Sequence, residues 1–248
     1  MKSGYIENMD FKTVLKREAN KINIELTNEM LEKFEIYKNL LIDWNEKINL
    51  TAITEDYEVI MKHYIDCLEI TKYISKGNKI IDIGTGAGFP GIVISIFFGD
   101  DIELTLLDAL NKRLIFLEEV RKKLNLKNIK IVHGRAEELA HKEGYRESYD
   151  VVVSRAVSNL STLLEYDIAY IKVGGRCLFL KGDNVNIEIN ESKKAFDKLK
   201  CSIVKLYQYQ YSIKEEIYHR YILDILKDEI TPKIYPRNNV QIKKNPLK

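Results

Sequence analysis

A dense run of glycines at residues 84–91 constrains the fold of this chain more than any other feature. Four glycines lie within these eight residues, directly after the apolar stretch 79–83. Glycine loses more conformational entropy on folding than other residues, so this density is unfavourable unless the backbone must turn tightly or approach a ligand. Pro90 suits the first turn of a helix. The pattern predicts a strand, a cofactor-holding turn and a helix, as in doubly wound folds.

Strands and helices alternate after this loop. Apolar runs predict strands at residues 102–108, 128–133, 149–154 and 176–181. Helical spacing predicts helices at 111–124, 159–171 and 190–200. Such alternation is typical of a parallel sheet with helices on both faces. Two last runs, 201–211 and 217–226, have no helix between them and predict an antiparallel hairpin. We therefore predict an α/β, Rossmann-like fold, with a seven-stranded, mostly parallel sheet and an antiparallel edge strand.

The N-terminal part differs in composition, because it contains no glycine between Gly4 and the end of its helical pattern near residue 75. Thr27 suits the N-cap of one helix, and apolar spacing predicts another over 55–71 and a shorter one near 10–20. We predict three parts: a helical extension at 1–75, a cofactor-binding domain at 76–230 and a basic tail at 231–248.

Two cofactors fit the glycine loop. Gly86, Gly88 and Gly91 match the dinucleotide fingerprint, and Asp108 lies at the spacing of a ribose-binding acid, so NAD binding by an oxidoreductase is one alternative. Asp82 argues against NAD, because a carboxylate beside a pyrophosphate is repulsive. S-adenosylmethionine has no phosphate and carries an ammonium and a sulfonium. Its binding is favoured by Asp82 and by the further spacing Gly84, Gly86, Gly88.

Cysteine usage and hydropathy limit the class of protein. Cys67, Cys177 and Cys201 are odd in number and have no Cys-x-x-Cys spacing, which predicts neither disulfides nor zinc and fits the cytoplasm. The apolar run 92–98 is too short to span a bilayer. We expect a cytoplasmic monomer without a metal or a membrane partner.

Several segments carry a more specific signal when they are taken together. They occur in order along the chain, at residues 44–51, 63–66, 82–91, 107–113, 154–157, 180–182 and 231–237. Jointly they resemble the bacterial ribosomal RNA small subunit methyltransferase G family, also called glucose-inhibited division protein B. Ala109 and Cys67 stand where that family commonly has serine.

The resemblance implies N7 methylation of one guanosine in 16S ribosomal RNA of the small subunit. It also implies cofactor contacts from Gly84, Phe89, Ala136, Glu137 and Arg155, and less directly from Asp108.

The residues after the predicted fourth strand agree with this chemistry. They lack the Asn/Asp-Pro-Pro-aromatic motif that grips exocyclic amines, and Cys177 lies in an apolar run that is typical of core. Guanine N7 has an available lone pair and no proton to lose, so positioning is enough. We expect Arg155 to serve as the positioning group and expect no general base. A small-molecule methyltransferase remains an alternative.

Basic residues suggest how RNA is held, although a net charge of +2 does not by itself identify a nucleic-acid binder. Residues 231–248 contain no acid. They are either a frayed terminus or a phosphate-binding tail whose deletion weakens RNA methylation and spares cofactor binding. The candidate RNA-binding residues are Lys112, Arg113, Lys233, Tyr235, Arg237, Lys243 and Lys244.

Overall fold

The computed structural model describes residues 10–155 and 158–248. Seven strands form one sheet in the order β3-β2-β1-β4-β5-β7-β6. The strands are β1 (Lys79–Ile83), β2 (Glu103–Asp108), β3 (Ile129–His133), β4 (Tyr149–Arg155), β5 (Ile171–Lys181), β6 (Cys201–Ile213) and β7 (Glu216–Lys227). Strands β1 to β5 pair in parallel. The prediction of a Rossmann-like, seven-stranded, mostly parallel sheet is confirmed.

The sheet reverses its winding direction at β1, which pairs with β2 on one side and with β4 on the other. In open α/β sheets, ligands bind in the crevice beyond the carboxyl ends of the strands at such a switch point. The valines of β4 are buried because helices cover both faces of the sheet.

The hairpin of β6 and β7 forms the edge next to β5. Strand β7 runs antiparallel to β5 and lies between β5 and β6. This order differs from the 3-2-1-4-5-6 order of dinucleotide-binding folds.

The helices cover the faces of the sheet and form the N-terminal extension. They are α1 (Phe11–Lys21), α2 (Asn28–Ile48), α3 (Asp56–Glu58), α4 (Asp66–Leu68), α5 (Gly91–Phe98), α6 (Asn111–Lys123), α7 (Ala136–Leu139), α8 (Leu160–Asp167), α9 (Val185–Glu191), α10 (Lys193–Leu199) and α11 (Asn239–Lys244). Two helices have other bounds than the sequence predicted. The one at 159–171 ends at Asp167, after which a short 3-10 turn leads into β5, and the one at 190–200 begins at Val185 and is broken at Ser192.

The N-terminal helices share a core with the sheet. Thr27 caps α2 by accepting a hydrogen bond from the Met30 N–H, as its position predicted. The predicted helix at 55–71 is one continuous helical run in which Val59–Ile65 is a π-helix between α3 and α4. Buried side chains from α1 and α2 join those of β1, α5 and α6 in a single hydrophobic cluster.

The C-terminal segment 231–248 folds back onto the domain. Ile242 and Leu247 are buried, and the Arg237 guanidinium makes a two-pronged ion pair with Glu165, which is fully buried in α8. The segment is therefore packed and not frayed, whereas phosphate binding by its exposed lysines stays a prediction. Within the described ranges, no helix combines the length and the apolar character that a bilayer span requires.

Candidate cofactor and nucleobase site

The glycine loop after β1 turns through left-handed backbone conformations. Gly84, Gly86 and Gly88 have φ angles of 70°, 60° and 97°. The N–H groups of Gly84 and Thr85 both donate to the carbonyl of Leu107, which ties the loop to the end of β2. Residues other than glycine rarely adopt these backbone angles, so the glycines allow the turn.

Gly88 also allows a close approach from the N-terminal extension. A Cβ atom there would lie 2.9 Å from the Tyr37 hydroxyl and 2.6 Å from Ile92. The Tyr37 hydroxyl donates a hydrogen bond of 2.5 Å to the carbonyl of Ala87. Helix α2 thus holds the cofactor loop directly, and the glycine spacing is required by packing as well as by the turn.

Asp82 supports the loop from below and does not line the cavity. Its Oδ2 accepts from the Thr85 hydroxyl at 2.7 Å and from the Gly91 N–H at 2.9 Å, and the residue is fully buried. Its Oδ1 has no hydrogen-bond partner in the part of the chain that the structure describes. Burial raises the Asp82 pKa to about 7, against the lowering effect of those two hydrogen bonds. We expected Asp82 to contact the cofactor directly. In the structure it holds the glycine loop in place instead.

The raised Asp82 pKa predicts how stability depends on pH. Between pH 4 and 7 the folded protein retains a proton that the unfolded chain, with an ordinary aspartate pKa of 3.8, releases. Rising pH therefore favours unfolding at this site, and the effect is complete above about pH 7. Asp82→Asn does not titrate, so its stability relative to wild type should increase from pH 5 to pH 8. Urea unfolding of both proteins at the two pH values measures this difference. An equal change in the free energy of unfolding of wild type and variant would contradict the prediction.

Asp108 lies at the end of β2 and faces the cavity. Its Oδ2 accepts from the Gly86 N–H at 3.0 Å and from Arg113 at 3.2 Å, and its Oδ1 accepts from the Leu110 N–H at 2.8 Å. The carboxylate is buried, whereas Arg113 is about a third exposed. Arg113, which we expected on an RNA-binding surface, thus lies within the site and covers the acid expected to bind ribose.

The cavity beyond the sheet has a volume of about 760 Å³, which suits a cofactor-sized ligand. Gly84, Gly86, Phe89 and Asp108 line it, as do Ala136 and Glu137 at the start of α7. Sequence reasoning did not identify several other residues that line it, namely Thr51, Arg135, Asn159, Thr162, Tyr166 and Asn239. They come from four separate parts of the chain, so no local spacing identifies them as a group.

Arg155 joins the end of β4 to the N-terminal extension. Its guanidinium donates to the Lys62 carbonyl at 2.7 Å and to His63 Nδ1 at 3.0 Å, and it lies 4.8 Å from the centre of the Phe89 ring. Asp66 is 3.5 Å away. Arg155 is therefore largely buried in a network beside the cavity and is not a surface ion pair. Ala156 and Val157, which complete this resemblance segment, lie outside the described residues.

His63 and Asp66 complete this network. The His63 ring stacks on Phe89 with a centroid distance of 4.3 Å. Burial, followed by the Arg155 charge, lowers the His63 pKa to about 3, so the imidazole is neutral. Asp66 accepts a two-pronged pair from Arg220 at 2.9 and 3.1 Å and a hydrogen bond from the Tyr209 hydroxyl at 2.7 Å. The network thus extends from the cavity to the β6–β7 hairpin.

The remaining candidate RNA-binding residues divide into two groups. Lys112, Lys233, Lys243 and Lys244 are exposed, and Lys243 lines the cavity together with Arg113 and Arg135. Tyr235 is buried and Arg237 pairs with Glu165, so these two side chains contact the protein itself. Their predicted stacking and phosphate pairing are therefore not available in this conformation, because burial and an internal carboxylate already occupy them.

The three cysteines are buried, as predicted for Cys177. Burial raises the pKa of Cys67 and of Cys201 to about 12. These thiols are protonated at neutral pH and poor nucleophiles. No group of three or more His, Cys, Asp or Glu side chains suited to a metal ion occurs among residues 10–155 and 158–248.

Comparison with known proteins identifies the family. Residues 30–218 match the family model described as rRNA small subunit methyltransferase G. The chain belongs to this family. It is 46% identical to the ribosomal RNA small subunit methyltransferase G of Clostridium tetani and 43% identical to that of Clostridium perfringens strain 13. Each alignment spans 242 residues, which is 97% of this chain and 100% of the relative.

Solved structures support the fold. A SAM-dependent methyltransferase from Aquifex aeolicus is similar, with a TM-score of 0.51 over 68% of this chain and 93% of that chain, at 14% identity. A putative methyltransferase from Thermoplasma acidophilum gives the same TM-score over 64% of this chain and 71% of that one, at 11% identity. The sheet order, family membership and these neighbours together identify a class I methyltransferase fold.

Proposed function

We propose that this chain transfers the methyl group of S-adenosylmethionine to N7 of a guanosine in 16S ribosomal RNA. One observation carries the proposal beyond the family name. Thr51 and His63 come from two segments of the N-terminal extension, Arg155 lies 92 residues beyond His63, and the three meet on one wall of the cavity. The glycine loop and Asp108 form the part next to it. The resemblance segments thus converge on the site where a cofactor and a base would meet.

The residues of the cavity suit S-adenosylmethionine. Asp108 offers carboxylate oxygens to the ribose hydroxyls once Arg113, which is partly exposed, moves aside. Ala136 and Glu137 lie where the adenine binds in this fold class. The open backbone at Gly86, where an added Cβ would meet only the Gly84 carbonyl at 3.9 Å, admits the amino-acid part. An NAD-binding oxidoreductase is disfavoured, because β7 lies antiparallel between β5 and β6.

Bound S-adenosylmethionine supplies an electrophilic methyl group on its sulfonium. The N7 lone pair forms the new N–C bond while the S–C bond breaks, and no proton has to leave. The protein therefore needs to orient two ligands and exclude water, and it needs no general base. Arg155 is a positioning residue in this scheme, since its hydrogen bonds hold His63 beside Phe89 at the cavity wall. The protonated cysteines exclude a thiolate that attacks the base.

Basic side chains at the mouth of the cavity would hold the RNA backbone. Arg113, Arg135 and Lys243 line the mouth, and Lys112 and Lys244 are exposed on the adjoining helices. Phosphate contacts from such residues position RNA without reading its sequence. We propose that the protein works as a cytoplasmic monomer on the small ribosomal subunit.

The test is transfer of tritiated methyl groups to small subunits from a bacterial strain that lacks this activity. We expect about one methyl group per subunit, and we expect cleavage of the labelled RNA by borohydride and aniline, which is specific for 7-methylguanosine. Subunits from the parent strain are already modified and serve as the control. Naked 16S RNA in parallel shows whether assembly is required. Absence of label on both RNA forms, or label that resists cleavage, would contradict the proposal.

A further inference from the structure

The hydrogen bonds of His63 determine its tautomer. An arginine guanidinium only donates hydrogen bonds, and the Arg155 NH2 group lies 3.0 Å from His63 Nδ1. Nδ1 must therefore accept, which leaves the proton of the neutral imidazole on Nε2. The His63 pKa of about 3 agrees with a neutral ring in the presence of Arg155, Asp66 and Lys62, the charged groups around it.

This tautomer determines the role of the Thr51 hydroxyl. His63 Nε2 lies 3.0 Å from Thr51 Oγ1 and donates to it. The Ile53 N–H donates to the same oxygen at 3.0 Å. A hydroxyl has two acceptor positions and one proton, so both acceptor positions are occupied and only its proton remains available. Thr51 lines the cavity, and its backbone is held by a 2.8 Å hydrogen bond from its N–H to Asn45 Oδ1.

We propose that Thr51 is an obligate hydrogen-bond donor to an oxygen atom of the ligands in the cavity, and that His63 and Arg155 are positioning residues that keep it a donor. The proposal rests on the proposed function, which brings two such oxygens to this wall. One is O6 of the target guanine, which is adjacent to N7, and the other is the carboxylate of the cofactor. A donor at O6 would orient the base and leave the N7 lone pair free for the methyl group.

Two substitutions of Thr51 test the donor. Thr51→Val has the same shape and no hydroxyl, whereas Thr51→Ser retains it. We expect Thr51→Val to lower either the cofactor affinity or the single-turnover methylation rate by about 10- to 100-fold, because an oxygen of the ligand is left unpaired. We expect both quantities of Thr51→Ser to stay within about threefold of wild type. Calorimetry measures the affinity for S-adenosylmethionine, and single-turnover methylation of unmodified small subunits measures the later step.

The two measurements distinguish the acceptors. A loss in cofactor affinity identifies the carboxylate, and a loss in methylation at saturating cofactor identifies guanine O6. Either result supports the proposal. It is overturned if Thr51→Val matches wild type in both measurements, or if Thr51→Ser is as impaired as Thr51→Val.

A double-mutant cycle tests the positioning role. His63→Phe retains a ring against Phe89 and removes both ring nitrogens. It should impair the same measurement as Thr51→Val and add little to it in the double variant, because the two act through one hydrogen bond. Losses that add in the double variant would overturn the positioning role of His63. Wild-type protein is measured first: if it binds S-adenosylmethionine but methylates no ribosomal RNA, the proposed function fails, and the cofactor measurement still tests Thr51.

Discussion

Removal of residues 231–248 is expected to unfold the protein and abolish cofactor binding, not only to weaken RNA methylation. The deletion exposes the pocket that Ile242 and Leu247 fill in the core. It also leaves Glu165, which is fully buried, without the Arg237 guanidinium. Loss of each apolar side chain costs about 2–5 kcal/mol, and an unpaired buried charge costs about 3–5 kcal/mol. The sum approaches the whole stability of a typical domain, about 5–15 kcal/mol.

Circular dichroism and thermal unfolding of the truncated chain check this expectation, with calorimetric titration of S-adenosylmethionine alongside. The matched control keeps the segment and replaces Lys233, Lys243 and Lys244, all of them exposed, with glutamine. That variant should retain wild-type stability and lose RNA affinity, with the salt dependence reduced by about one unit of slope for each lysine that contacts a phosphate. A truncated chain that is folded and binds the cofactor normally would show that the segment is dispensable for the fold.

Asp66→Ala should have the second largest effect, with a loss of about 3–5 kcal/mol in the free energy of unfolding. Asp66 is almost fully buried and is the shared acceptor for Arg220, Arg155 and the Tyr209 hydroxyl. Its removal leaves two arginines in a poorly solvated site. It also removes the hydrogen bonds by which Asp66 joins the helical extension to Tyr209 and Arg220 of the β6–β7 hairpin, so methylation should fall together with stability.

Asp56→Ala is the matched control for this prediction. Asp56 also lies in the N-terminal extension and pairs with Lys38 at 3.0 Å, but its side chain is 57% exposed. Solvent weakens such pairs, so the loss should stay below about 1 kcal/mol. Urea unfolding of both variants at one pH gives the comparison. Equal losses would mean that Asp66 is not a buried hub of the network.

The elements that depend on local sequence were predictable. The glycine loop, the N-cap at Thr27 and the strands from β1 to β4 follow from residue types and from spacings of two to four residues. Burial of Cys177 follows from its apolar neighbours. The boundary between α8 and β5 was less accurate, because the apolar residues Ile168 and Ile171 fit a helix and a strand equally well and the packing of the sheet decides between them.

The candidate site was predictable only in part. Asp108, Gly84 and Gly86 line the cavity because they lie at the ends of adjacent parallel strands, which meet at one edge. Gly88, which we also expected at the cofactor, packs against Tyr37 and Ile92 instead. Asp82 has the same kind of position in the sequence, but it lies under the loop. The alternation of side chains along β1 does not show how far the following turn folds over the strand end, and so the sequence suggested a direct cofactor contact where the structure has a support.

The sequence by itself determined a methyltransferase-like sheet, the cofactor loop and the family, because these depend on local spacing and on segments compared in order. Only the tertiary structure decided which side chains Thr51 contacts, that His63 meets Arg155, and that the C-terminal segment packs on the domain. Arg237 meets Glu165 across 72 residues and Arg155 meets His63 across 92. Charge and composition along the chain do not show which partner, from so far away in the sequence, a basic residue contacts in the fold. The glycine loop therefore predicted where a cofactor binds, and the fold showed which distant side chains surround that cavity.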